Sequence, residues 1–164
     1  MNNRQLFLFK DHHMELIDGE VPEPGQGQLR IKIRYNGICG SDLHFYHEGR
    51  LGNFVVGKPY VPGHEASGIV DKIGDGVSNF NVGDQVVPEP GIPCGKCKFC
   101  KNGRYNLCPD VRFLSEPGTN GTFCDYVIMP EHFVHHIPKG LSLEKAALAE
   151  PVAVSVQAVN ENVS

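Results

Sequence analysis

The chain has 164 residues, 40% hydrophobic and 21% charged, with a formal net charge of −4, which fits one globular domain, or one domain and the start of a second, large enough to bury its own core. The acidic balance argues against a nucleic-acid partner, since neutralising phosphates takes clustered lysine and arginine. No apolar run approaches the roughly twenty residues of a membrane span, and the opening Met1-Asn2-Asn3-Arg4-Gln5 lacks the apolar core of a secretion signal, so the expected setting is cytoplasmic, with no membrane partner.

Nineteen glycines and twelve prolines predict many turns and a mainly β domain rather than a helical bundle. A first strand is expected over 5–10 and a second over 14–18, followed by a Pro/Gly loop over 21–27. Over 29–35, Leu29, Ile31, Ile33 and Tyr35 alternate with Arg30, Lys32 and Arg34, the pattern of a half-buried strand with a solvated charged face. Gly37 and Gly40 break it, and a short helix follows with Ser41 or Asp42 as its cap. The stretch 49–63 reads as a loop. Strands are predicted over 65–70, after a turn at 80–84, and over 121–129, with a hairpin-type turn at Gly74-Asp75-Gly76. Ser142 caps a helix over 143–149, and Glu150-Pro151 opens another that carries Val152, Val156 and Val159 on one face.

Cys94, Cys97, Cys100 and Cys108 follow the spacing Cys-x2-Cys-x2-Cys-x7-Cys. Four thiolates so placed suit a tetrahedral zinc ion with no open position, a structural site. Two disulfides are the alternative, and they require an oxidising compartment. A zinc-stabilised nucleic-acid module is disfavoured by the net charge. Lys96, Lys98 and Lys101 lie near thiolates whose charge they offset. Cys124 falls outside the spacing and is assigned to packing. His132, His135 and His136 are read as non-ligands. Elsewhere Cys39 stands before the short helix, where a thiol's pKa is lowered. Gly63-His64-Glu65 offers a nitrogen and an oxygen ligand. Each of these residues alone is unremarkable: a lone Cys39 is more often packing, and a lone His-Glu pair more often a surface accident.

Together these residues resemble the N-terminal catalytic domain of the zinc-containing medium-chain alcohol dehydrogenases, and within them the sorbitol and xylitol dehydrogenase branch. The carriers are Gly-Ile-Cys-Gly-Ser-Asp-Leu-His at 37–44, Gly63-His64-Glu65-Ala66, Phe80 with Gly83-Asp84 and Val86, the four-cysteine lobe with Gly103-Arg104-Tyr105-Asn106-Leu107-Cys108, and Glu150-Pro151. The polyol branch rests on 49–56, Glu89-Pro90-Gly91 and Glu150.

The resemblance implies a GroES-like β-barrel with short helices over 1–150, a structural zinc lobe over 89–115, and a linker helix starting at 151. It implies two zinc ions per chain. The catalytic one is held by Cys39 and His64 with Glu65 and Glu150, and which carboxylate touches the metal is left open. Asp42 is expected to orient the ligand histidine. Ser41 and His44 occupy the places of the proton relay and face the NAD(P)+ cofactor. A zinc-bound water assisted by Glu150 is the other proton exit. Phe45, Leu51, Phe54 and Phe113 match places that line the polyol site, with Phe45 standing where related enzymes often carry tyrosine.

No dinucleotide fingerprint is present, because Gly25-Gln26-Gly27 lacks a strand–turn–helix context. The expectation is therefore a catalytic part that does not by itself hold NAD(P)+ tightly or turn over. The whole enzyme is expected to be a dimer or tetramer acting on a small polyol. Threonine, butanediol and glucose dehydrogenases stay open as alternatives. So does a non-catalytic zinc-stabilised module, which would leave Cys39 and His64 without a purpose.

Overall fold

A computed structural model describes residues 2–162, and the side chains of 2–160. In chain order the strands are β1 (Asn2–Leu8), β2 (Met14–Glu20), β3 (Gln28–Asn36), β4 (Arg50–Leu51), β5 (Phe54–Val55), β6 (Ala66–Ile73), β7 (Gln85–Pro88), β8 (Gly91–Ile92), β9 (Arg112–Phe113), β10 (Tyr126–Pro130) and β11 (Val134–His136). The helices are α1 (Gly40–Glu48), α2 (Lys98–Lys101), α3 (Leu143–Ala146) and α4 (Ala149–Asn162). None is long and apolar enough to cross a membrane.

The alternating sequence of β3 makes it the second strand of an antiparallel five-stranded sheet, ordered β10-β3-β6-β7-β11. Leu29 and Ile31 point inward and meet Val70, Val86, Met129 and Val134 in a closed apolar core. On the opposite face Arg30 donates to Asp71 at 2.7 Å and to Glu23 at 3.0 Å. The inward alternation does not run to the end of the strand. The pairing of β3 with β6 shifts register between Ile33 and Tyr35, so Tyr35 turns outward and is exposed, as expected where a bulge adds a residue. A second apolar cluster of Leu8, Phe45, Val56 and Tyr60 seats α1 against the 49–62 segment.

Several predicted boundaries move. The strand expected over 121–129 begins only at Tyr126. The backbone N–H groups of Gly121, Thr122 and Phe123 donate instead to the carbonyls of Val61, Gly63 and Pro62, and a strand cannot form where its hydrogen bonds are already committed. The Gly74 turn is not a tight hairpin. Residues 74–84 form a longer connection, closed where Gly83 donates to Val70 and Val70 to Asp84. The 49–63 loop contains the small β4–β5 hairpin. Ser142 does cap a helix, accepting from the Lys145 amide at 3.3 Å, but that helix ends at Ala146. The cap of α1 is Cys39 rather than Ser41 or Asp42. The division at 150/151 falls inside the first turn of α4; of the segment 151–164, residues 163 and 164 lie outside the described residues.

The lobe over 89–115 has little apolar core of its own. Its four thiols lie within 4.8 Å of one another. Sγ of Cys97 and Cys100 are 3.4 Å apart, and Sγ of Cys94 and Cys100 are 4.0 Å apart. These values bracket the edge of about 3.8 Å that follows from a tetrahedron with metal–sulfur bonds of about 2.3 Å, and both far exceed a disulfide bond. Backbone N–H groups of Lys96 and Cys97 draw the Cys94 thiol down to about 7. Desolvation, and then the neighbouring thiol of Cys97, push Cys100 up to about 12. Four thiols packed this closely can all ionise only around a cation. Cys100→Ser is therefore expected to release zinc from the lobe and lower the thermal midpoint by roughly 10 °C or more, at about 2–4 °C per kcal/mol for a domain of this size. Calorimetry showing an unchanged midpoint would remove the lobe's structural role.

Candidate active site

Where β3 ends, the chain packs directly on the site. Gly37 donates its N–H to the Glu65 carbonyl at 2.7 Å, and a Cβ at this position would collide with the Glu65 carboxylate. Cys39 then turns the chain into α1. Opposite it, Gly63 adopts φ 92°, a left-handed conformation that suits glycine. A side chain at Gly63 would also strike the Phe123 ring. The bonds from 121–123 hold this turn, which aims His64 and Glu65 inward, 5% and 8% exposed.

The result is a three-residue cluster. One ligand atom each from Cys39, His64 and Glu65 lies within 4.8 Å of the others. Sulfur, nitrogen and oxygen donors from three residues form the set that leaves a tetrahedral zinc one open position. The imidazole also has an unsatisfied polar atom: Nδ1 of His64 is buried and has no hydrogen-bond partner, a state that needs a reason. A metal ion drawn into the cluster would supply one. The Phe113 ring stands edge-on to the same imidazole at 5.4 Å between centroids.

Glu150, in the first turn of α4, stands outside that tight cluster but is coupled to it. Burial raises its pKa, His64 pulls it down, and Glu65 pushes it up. Of the two carboxylates left open by the sequence, Glu65 is the one that converges with Cys39 and His64. A cavity of about 490 Å³ opens beside the site between β7, the lobe and α4, with Phe113 and Glu150 among its walls.

Asp42 does not act as expected. It is 2% exposed, but it does not orient His64 through the ring. Its Oδ2 accepts from the Cys39 N–H at 3.1 Å. Its Oδ1 accepts from the Gly63 N–H at 3.2 Å and from the Ser115 hydroxyl at 2.7 Å. The carboxylate is one turn into α1, so it meets the backbone of the two ligand turns rather than the imidazole. Ser115 had no role in the sequence reading, and nothing in its local sequence marks it.

Ser41 is half-buried and His44 exposed, three positions apart on α1 and so on one helical face. His44 Nδ1 lies 3.4 Å from the Glu48 carboxylate. Leu51 and Phe54 pair across the β4–β5 hairpin and are exposed. Phe45 is buried. It is 4% exposed and packs edge-on to Tyr60 at 6.1 Å in the second apolar cluster. One turn after buried Asp42, it lies on the inner face of α1 and supports the helix.

Cys124 is packed as expected, with burial raising its thiol to about 12. His135 reaches Glu89 at 3.0 Å, and His136 stacks on Phe80 at 4.4 Å. Neither joins a group of three or more metal-capable side chains among the described residues.

Comparison with known proteins agrees with this geometry. The chain is 51% identical over 138 residues to a sorbitol dehydrogenase of Bacillus subtilis, covering 84% of this chain and 39% of that protein. It is 40% identical over 151 residues to D-xylulose reductase A of Aspergillus oryzae, covering 92% and 42%. An alcohol dehydrogenase of Escherichia coli CFT073, solved in complex with NADH, superposes with a TM-score of 0.82 at 31% identity, covering 92% of this chain and 42% of that one. The chain thus spans about two fifths of the length of the curated relatives it matches. Residues 25–139 match the family model of the alcohol dehydrogenase GroES-like domain, and with its sheet, four-thiol lobe and metal-capable cluster the chain belongs to that family.

Proposed function

We propose that this chain is the catalytic-domain part of a zinc-dependent polyol dehydrogenase, which oxidises a secondary alcohol of a polyol to a ketone and passes the hydride to NAD(P)+. The observation that carries the reading is the convergence of Cys39, His64 and Glu65; Glu150, whose pKa both His64 and Glu65 move, lines a neighbouring cavity of small-molecule size together with Phe113. The polyol class is drawn from the sorbitol dehydrogenase and xylulose reductase relatives. Residues 1–150 form the catalytic unit in this reading, and α4 leads toward a cofactor-binding region of the whole protein, a dimer or tetramer.

When bound, zinc supplies the Lewis acidity that lowers the pKa of the substrate hydroxyl, and the nicotinamide accepts the hydride from the carbinol carbon. Cys39, His64 and Glu65 would hold the catalytic metal, and Cys94, Cys97, Cys100 and Cys108 the structural ion. Glu150, with its pKa raised by burial, is suited to take up and release a proton beside the substrate. Ser41 receives the hydroxyl proton on the other route and passes it one turn along α1 to His44, whose exposed ring returns it to water. Phe113 shields the imidazole, and Leu51 and Phe54 form the outer wall over which the substrate enters. A module with only a structural ion would leave the buried His64 without a purpose.

Elemental analysis of the whole enzyme is expected to find two zinc ions per chain, falling to one in Cys39→Ala; one in both proteins would remove the catalytic metal. His64→Ala should reduce polyol oxidation below detection while the circular dichroism spectrum stays that of the parent. Retained turnover would take His64 out of the site. Across sorbitol, xylitol, 2,3-butanediol and threonine, kcat/KM is expected to be highest for a polyol, and a preference for butanediol or threonine would overturn the substrate class.

A further inference from the structure

Ser115 follows β9 by two residues and has φ 71°. Among the described residues, His12 is the only other non-glycine with a left-handed φ. A side chain held in this region is strained, and such strain persists where the surroundings impose it and points to a use. The use is visible in its bonds. Ser115 is 3% exposed. Its hydroxyl donates to Asp42 Oδ1 at 2.7 Å and accepts from the Gly63 N–H at 2.9 Å. Asp42 in turn holds the Cys39 N–H at 3.1 Å. A continuous chain of bonds thus runs from Cys39 through Asp42 and Ser115 to Gly63, the residue before His64. Phe113, two residues before Ser115, rests on the His64 ring.

We propose that Ser115 is a positioning residue for the catalytic zinc: by bridging Asp42 and Gly63, its hydroxyl sets the separation of the turns that carry Cys39 and His64. The inference rests on the reading that these two residues hold zinc. It assigns Ser115 no contact with substrate or metal. Its effect is to fix the ligands before the metal arrives, so that little of the binding energy is spent on ordering them.

A filler role makes the opposite forecast. Glycine adopts positive φ freely, so Ser115→Gly would then leave zinc affinity alone and raise the thermal midpoint. The test uses the full-length enzyme, with chelator competition to measure the affinity of each zinc and cobalt substitution to report the ligand field. Ser115→Gly is expected to retain the zinc of the four-thiol lobe and to bind the catalytic zinc about 10–100-fold more weakly, with a shifted cobalt absorption band. Ser115→Ala, which removes the hydroxyl without adding backbone freedom, should do the same, and it is read by the same criterion if the glycine variant folds poorly. Combining Ser115→Gly with Asp42→Ala should weaken binding by less than the product of the single effects, because each removes the bond between the Ser115 hydroxyl and the Asp42 carboxylate. Affinity within about twofold of the parent with an unchanged cobalt band would overturn the role of Ser115 alone. A parent enzyme that holds only the lobe zinc would overturn both this inference and the proposed catalytic metal.

Discussion

The constraint on which the site depends is the burial of the Asp42 carboxylate. Placing such a group in an apolar interior costs several kcal/mol unless hydrogen bonds replace its water. Here they come from the N–H groups of Cys39 and Gly63 and from the Ser115 hydroxyl. Each donor belongs to a different segment: the cap of α1, the turn before β6, and the turn that follows β9. Satisfying one carboxylate therefore requires three distant pieces of chain to arrive together, and the cost of leaving any of them out is the desolvation penalty itself. Two residues of the metal-capable cluster, Cys39 and His64, sit at or next to these donors.

The same arrangement gives the lobe a part in the site. It packs four thiols and little apolar surface, yet its exit strand β9 delivers Phe113 to the His64 ring and, two residues on, Ser115 to Asp42. The backbone of 121–123 then closes on 61–63. Loops are ordinarily the least ordered parts of a domain, but this one is held on one side by main-chain hydrogen bonds and on the other by Asp42. Holding ligands in advance is what a metal site needs if binding is not to be spent on ordering the chain.

The candidate site grades from buried to exposed. His64 and Glu65 are buried at the entrance to β6, whereas His44, Leu51 and Phe54 lie on exposed surface. That gradient suits the proposed reaction, whose metal-holding residues would stay fixed while substrate and proton come and go. Phe45 is buried, and its packing against Tyr60 holds the inner face of α1 against the 49–62 segment.

Much of this protein was determined by its sequence alone. Thiol spacing is a local property, so the four-cysteine lobe is legible without any fold, and the alternation of β3 gives its buried face through Ile31. The pairing of Cys39 with His64 and Glu65 was legible only through resemblance, because ligands so far apart in the chain meet by topology. The tertiary structure decided the rest. Which of two neighbouring carboxylates converges with the cluster depends on where β6 and α4 enter it. Which donors Asp42 reaches depends on the approach of two loops. Whether Phe45 faces a pocket or a core depends on what packs under α1, and where Tyr35 points depends on a bulge set by pairing with β6. Ser115 is the limiting case: a serine with positive φ has no sequence signature, since its strain is imposed by the groups around it and exists only once they are in place.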